Sequence, residues 1–234
     1  MNYRDPNMAM IELVAHHLGE ALLRDLVFVG GAVAGLLITD AAQPEIRPTE
    51  DVDLIVQVLA RADYYQLEQH LRARGFTQDM QADAPICRWQ IAQIKVDIMP
   101  TLDEILGFSN RWYRAALVYA ETKSLTNGMV IRHISAPLFI ATKLEAFAGR
   151  GNADYLFSHD LGDILAVVDG RESLIDECAA CDKEVKDYFH EKFTQLLSAP
   201  AFLEALPGHL PGDAASQERA PDLVAKLQRL ASLR

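Results

Sequence analysis

The amino-acid sequence predicts an α/β (α+β) protein, with strands and helices mixed over about the first 135 residues and helices over the last 100. Two patterns carry that expectation. Short apolar runs closed by glycine, proline or a charge recur up to Ile134. After Ser135-Ala136-Pro137 the apolar spacing becomes helical almost to the end. The expected domains are therefore an α/β core at 1–135 and a helical part at 136–234 that closes a cleft, with no flexible linker between them.

In order, Met8 to Leu23 places Met8, Ile11, Val14, Ala15, Leu18 and Leu22 at helical spacing. Leu26-Val-Phe-Val29 reads as a buried strand ended by Gly30-Gly31, and Ala32 to Ala42 as a helix. Asp51 to Val58 alternates as a strand, with Val52, Leu54, Val56 and Val58 on one face and Asp51, Asp53 and Ile55 on the other. Ala62 to Arg74 reads as a helix stopped by Gly75. Strands are expected at Ile86–Ile91, Lys95–Met99 and Met129–Ile134, the last after the Thr126-Asn-Gly128 turn signal. Helices are expected at Leu138–Ala148, His159–Val168, Arg171–Leu197 and Pro221–Leu233, with a loose loop over Ala199–Ala220.

Composition excludes several classes. Half of the 234 residues are hydrophobic and 24% are charged, as in a folded core-forming chain. The longest charge-free stretch, Leu26 to Thr39, has 14 residues with three glycines among them, too short for a membrane span of about 20. Acidic residues interrupt the N-terminal region, against a signal peptide, so the expected location is the cytoplasm. The net charge of −11 argues against whole-surface nucleic-acid binding. The charge is uneven: Cys87–Ile134 is net +2 and Gly151–Leu206 net −8, so one face is able to attract an anion. Cys178-Ala-Ala-Cys181 is one CxxC without a second pair; it reads as two small helix residues rather than a zinc site completed by His190. Trp89, Trp112 and Tyr113 read as core aromatics before base-stacking ones.

The stretch that carries chemistry joins Gly30-Gly31 to Arg47-Pro-Thr49-Glu-Asp51-Val-Asp53-Leu. Asp51 and Asp53 are two apart on a strand and share a face. Two carboxylates side by side repel unless a divalent cation lies between them, and magnesium, a hard oxygen-seeking ion, suits the pair. Asp97, in Gln93-Ile-Lys-Val-Asp-Ile-Met99, is the third carboxylate that a two-metal site requires. The diglycine turn leaves backbone N–H groups open to a phosphate, with a helix start behind it.

These residues resemble the signature of the polymerase-β-like nucleotidyltransferase superfamily. The Gly-Gly form with Arg47-x-Thr49-x-Asp51-x-Asp53-Leu is similar to the AbiEii-type group, which includes the toxins of type IV toxin–antitoxin pairs and the MenT-like toxins. Many antitoxin-type and adenylyl-transferring members carry Gly-Ser at Gly30-Gly31. The match covers Phe28 to Ile98, extends weakly from Lys143 to Ile164, and leaves the last 70 residues unmatched.

The resemblance implies a mixed sheet flanked by helices. It implies two magnesium ions on Asp51, Asp53 and Asp97, and a nucleoside triphosphate with its phosphates on Gly30-Gly31. It implies transfer of a nucleoside monophosphate to an acceptor hydroxyl, such as a tRNA 3′ end, and an antitoxin protein as a partner. Thr49, Lys143 and Arg150 are the further expected nucleotide contacts, with Arg47, Asp160 and Asp163 in support. Lys143 lies in a helix apolar nearly all round, so by itself it either snorkels to water or meets an anion. Asp160 and Asp163 either favour a helix start or hold Lys143 or Arg150 in place. Two other readings remain: a small-molecule nucleotidyltransferase acting on an aminoglycoside or lincosamide, drawn by the acidic C-terminal half, and a silent nucleotide-binding or antitoxin-like subunit.

Overall fold

The computed structural model describes residues 6–40, 46–82, 84–107 and 109–234. It divides into two compact units: Met1–Gly35 with Ile46–Ser135, and Leu36–Glu45 with Ala136–Arg234.

The first unit is built on a seven-stranded mixed sheet in the order β3-β4-β5-β2-β1-β7-β6. The strands are β1 (Leu26–Val29), β2 (Asp51–Val56), β3 (Thr77–Gln78), β4 (Arg88–Ile91), β5 (Ile94–Pro100), β6 (Glu121–Ser124) and β7 (Val130–His133). β2 and β5 run parallel, as do β1 and β7; the other neighbours are antiparallel. Its helices are α1 (Pro6–Leu23), α3 (Arg61–Ala73), α4 (Asp103–Leu106) and α5 (Tyr113–Val118), and the short α2 (Ala34–Leu37) begins in this unit and ends in the second. The core holds Phe28, Leu54, Phe76, Trp89 and Ile98, all buried. Trp89 and Trp112 are buried, so neither presents a face for stacking a base.

Several expected elements differ. The helix expected at Ala32–Ala42 is a 3-10 turn over Gly31–Val33 followed by α2, which stops at Leu37; Ala41 and Ala42 lie outside the described residues. α1 is interrupted at Gly19, whose backbone (φ +69) is not helical and where a Cβ would come within 2.5 Å of Arg74 Nη1. β2 ends at Val56 rather than Val58. β3 and β6 have no apolar run and are stabilised by pairing: Thr77 and Gln78 against Gln90 and Trp89, and Glu121–Ser124 against β7. β4 and β5 form a hairpin through Ala92 and Gln93, at φ +47 and +70, the left-handed pair that a two-residue turn requires.

The second unit contains α6 (Ala136–Arg150), α7 (His159–Gly170), α8 (Leu174–Ala179), α9 (Lys183–Leu197), α10 (Pro200–Ala205), α11 (Ala214–Gln217) and α12 (Ala220–Ala231). Its core includes Phe139, Phe189, Phe193 and Phe202. Residues Leu36–Asp40 join this unit through hydrogen bonds: Thr39 and Asp40 donate to the Gly170 carbonyl at 2.9 and 3.0 Å, and Arg171 Nη1 donates to Leu37 at 2.9 Å. The single helix expected at Arg171–Leu197 is two, separated at Ala180–Asp182, where Asp182 takes an extended backbone and starts α9. The loop expected at Ala199–Ala220 contains α10, a 3-10 turn at Leu206–His209 and α11. Among the described residues, no helix is long and apolar enough to cross a membrane.

Candidate metal centre

The parallel pairing of β2 with β5 sets Asp53 directly beside Asp97. Asp51 lies two residues before Asp53 and so projects from the same side of the sheet. The three side chains each offer a carboxylate oxygen, and these oxygens all lie within 4.8 Å of one another. Asp97 is buried; Asp51 and Asp53 are half-buried. Strand geometry thus brings together three acids from two separate stretches of chain.

Gly30 follows Val29, which pairs with Asp53 in the antiparallel β1–β2 register. Its φ of +69 lies in the left-handed region that favours glycine. A Cβ there would stand 1.8 Å from Asp53 Oδ2 and 2.6 Å from its Cγ. The expectation was that glycine clears the way for a phosphate. The structure adds another reason: the space that a side chain would occupy is taken by the Asp53 carboxylate. The helical turn behind it runs only from Gly31 to Leu37 and opens as a 3-10 turn. It is too short to act as the helix start expected behind the diglycine turn.

Three carboxylates in this space need a counter-charge, and Arg88 supplies one. The hairpin register makes Arg88 the cross-strand partner of Asp97. Arg88 Nε donates to Asp97 Oδ1 at 2.8 Å and Nη2 to Oδ2 at 2.7 Å, a bidentate contact. The same Nη2 stands 3.7 Å from Asp51 Oδ2. Its hydrogen bonds to Asp97 raise the Arg88 guanidinium further above its already high ordinary pKa. The neighbouring Cys87 thiol is pushed up to about 12, first by burial and then by the Asp97 charge, so it stays neutral.

The donor set fits a hard divalent cation. All three ligands are carboxylates, the chemistry that selects magnesium or manganese over softer metals. A carboxylate has about four acceptor positions, so the two bonds from Arg88 leave Asp97 able to coordinate. Among the described residues, no cluster of three or more metal-ligating side chains includes Cys178 or Cys181. Burial raises the pKa of both thiols, and His190 Nδ1 faces the Ala231 carbonyl.

Thr49 and Arg47 border β2. The Thr49 N–H donates to Asn7 Oδ1 at 2.9 Å, and its hydroxyl donates to the Asp51 carbonyl at 3.0 Å. Asn7 Nδ2 donates to the Arg47 carbonyl at 3.1 Å. The fully buried Asn7 therefore clamps residues 47–49 and fixes where β2 begins. Neither Asn7 nor Arg88 was singled out from the sequence. Alternation in Arg88-Trp-Gln-Ile91 does place Arg88 and Gln90 opposite buried Trp89 and Ile91, and that was the available signal for Arg88.

The remaining expected residues, Lys143, Arg150, Asp160 and Asp163, meet one another within the second unit. Lys143 is buried and does not snorkel. Its Nζ stands 3.0 Å from Asp160 Oδ1 and 2.7 Å from Asp163 Oδ2. Arg150 Nε and Nη2 donate to the two Asp160 oxygens at 3.1 and 3.2 Å. Burial pushes the Lys143 ammonium down, but Asp163 and Asp160 outweigh it and the net shift is upward. Burial raises the Asp160 carboxyl, but Lys143 and Arg150 outweigh that and hold it below its ordinary value. The anion that Lys143 meets here is a pair of aspartates, and the cluster ties α6 to α7.

No family model matches the chain, and no curated protein matches it. Six chains among the solved structures match. One of them, from H. pylori and provisionally named a nucleotidyltransferase, aligns over 99% of this chain and 96% of its own length, at 11% identity and a TM-score of 0.46. A likeness that distant assigns no residue and no activity.

Proposed function

We propose that the chain is a magnesium-dependent nucleotidyltransferase that moves a nucleoside monophosphate from a nucleoside triphosphate to an acceptor hydroxyl. The observation that carries this reading is the convergence of Asp51, Asp53 and Asp97, with carboxylate oxygens within 4.8 Å of one another, against the glycine that makes room for Asp53. The resemblance of the Gly30-Gly31 and Asp51-x-Asp53 motifs to the AbiEii-type group supports it and favours an RNA 3′ hydroxyl, such as that of tRNA, as the acceptor.

In this reading Asp51, Asp53 and Asp97 hold two magnesium ions. Magnesium, when bound, supplies positive charge that acidifies the acceptor hydroxyl and offsets charge on the departing pyrophosphate. Arg88 fixes both oxygens of Asp97, so that carboxylate is oriented before substrate arrives. Gly30 keeps the Asp53 carboxylate close to the turn after β1. The acceptor oxygen bonds to the α-phosphorus, the bond from that phosphorus to the bridging oxygen breaks, pyrophosphate leaves, and the hydroxyl proton is released to solvent. Lys143 and Arg150, the further nucleotide contacts that the resemblance implies, are held here by Asp160 and Asp163.

The test is incubation of the chain with each α-labelled nucleoside triphosphate, total RNA and magnesium. Label on RNA from the unaltered chain, and none from Asp51→Ala with Asp53→Ala, is the expected result. Equal labelling by both would end the metal reading. Label on an aminoglycoside or lincosamide without label on RNA would move the acceptor to a small molecule.

A further inference from the structure

Arg88 is a cation that the carboxylate cluster carries of itself. Its place is fixed twice: by the two-residue hairpin that pairs Ile91 with Ile94 and hence Arg88 with Asp97, and by the two-point contact of its guanidinium with both Asp97 oxygens. Its side chain is only 22% exposed. Such a fork restrains a carboxylate in a way that a single ammonium cannot. It is also a positive charge beside the oxygens that a divalent cation needs, and 3.7 Å from a second of the three acids. Like charges at this range oppose each other even where solvent screens them. Three carboxylates and one guanidinium leave the cluster with two negative charges, where the carboxylates alone would have three.

Building on the metal-dependent reading above, we infer that Arg88 is a positioning residue with two opposed effects. Its fork holds Asp97 in its working orientation, and its charge holds down the affinity of the free site for divalent cations. The two effects belong to different parts of the side chain and separate by substitution. Arg88→Lys keeps the charge and loses the fork. Arg88→Gln loses the charge.

The experiment titrates manganese, as a spectroscopically visible stand-in for magnesium, onto the full chain without nucleotide, and measures transfer separately. Arg88→Gln is expected to bind manganese roughly tenfold more tightly than the unaltered chain. Arg88→Lys is expected to stay within about threefold of it. Both should lose at least about tenfold in kcat, with KM for the nucleotide little changed. Unchanged or weaker manganese binding by Arg88→Gln overturns the charge effect, and a full transfer rate in Arg88→Lys overturns the fork. Should Arg88→Gln fail to fold on a thermal melt, Arg88→Lys decides: undiminished kcat refutes the inference. Loss of the metal reading has its own signature, no manganese bound by the unaltered chain or equal binding after Asp51→Ala with Asp53→Ala, and in that case this inference falls with it.

Discussion

Gly30 and Asp53 are fitted to each other: a single carbon added to Gly30 would stand 1.8 Å from the Asp53 Oδ2 atom. Backbone and carboxylate occupy what would be side-chain space at any other residue. Gly30→Ala therefore meets two penalties, the φ of +69 and the displaced carboxylate. The variant is expected to lose about 1–3 kcal/mol of stability and to bind manganese more weakly than the unaltered chain. Denaturant unfolding together with a manganese titration checks it; native affinity in the variant would show that Asp53 does not depend on this contact.

Asp53 and Asp97 are direct cross-strand partners with charges of one sign. Such a pair opposes folding when no cation sits between its members. Without metal, Asp53→Asn is expected to gain about 0.5–1 kcal/mol, seen as a melting temperature higher by roughly 1–4 °C. With manganese added, the unaltered chain should rise in melting temperature and the variant should not. Paired melts with and without the ion measure both effects.

Lys143 is a buried cation between two buried aspartates. Lys143→Met leaves both acids buried without it and should cost about 3–5 kcal/mol. Adding Asp160→Asn and Asp163→Asn should recover part of that loss, which a triple-variant melt reads.

The same cluster gives a pH signature. The Asp160 carboxyl is held below its ordinary value of 3.8, so its contribution is present above that pH and is lost as pH falls through the lower folded value. The Lys143 ammonium is raised above 10.5, so its contribution is complete below that pH and is lost as pH rises through the higher folded value. The stability difference between the unaltered chain and Asp160→Asn should therefore be flat between about pH 5 and 9 and shrink in acid. A difference that grows in acid would contradict the sign.

Cys178 and Cys181 have thiols whose pKa values burial raises. A thiol reagent at neutral pH should label Cys178 far more slowly in the folded chain than in urea. Added zinc should leave the melting temperature unchanged, since no third ligand joins the pair among the described residues.

Much of the fold could be read from periodicity. The strands at Leu26–Val29 and Asp51–Val56, the hairpin strands around Ala92 and the helices at 61–73, 136–150, 159–170 and 220–231 each have an apolar face that repeats at the right interval. What could not be read was held by partners distant in sequence. Glu121–Ser124 is exposed throughout and is a strand only because β7 supplies its hydrogen bonds. Residues 32–42 are apolar enough for a helix, yet the chain leaves α2 after Leu37 for hydrogen bonds with Gly170.

The amino-acid order alone determined that Asp51 and Asp53 share one side of a strand, because side chains alternate along any strand. It marked Asp97 as a polar residue in an otherwise apolar strand. Tertiary structure alone decided that Asp97 stands beside Asp53, that Arg88 clasps it, that Asn7 fixes the start of β2 and that Lys143 faces two aspartates. The physical reason is register. Which residues meet across neighbouring strands or helices is set by turns and packing, and the Ala92-Gln93 turn that sets it for Arg88 has no glycine or asparagine to announce it.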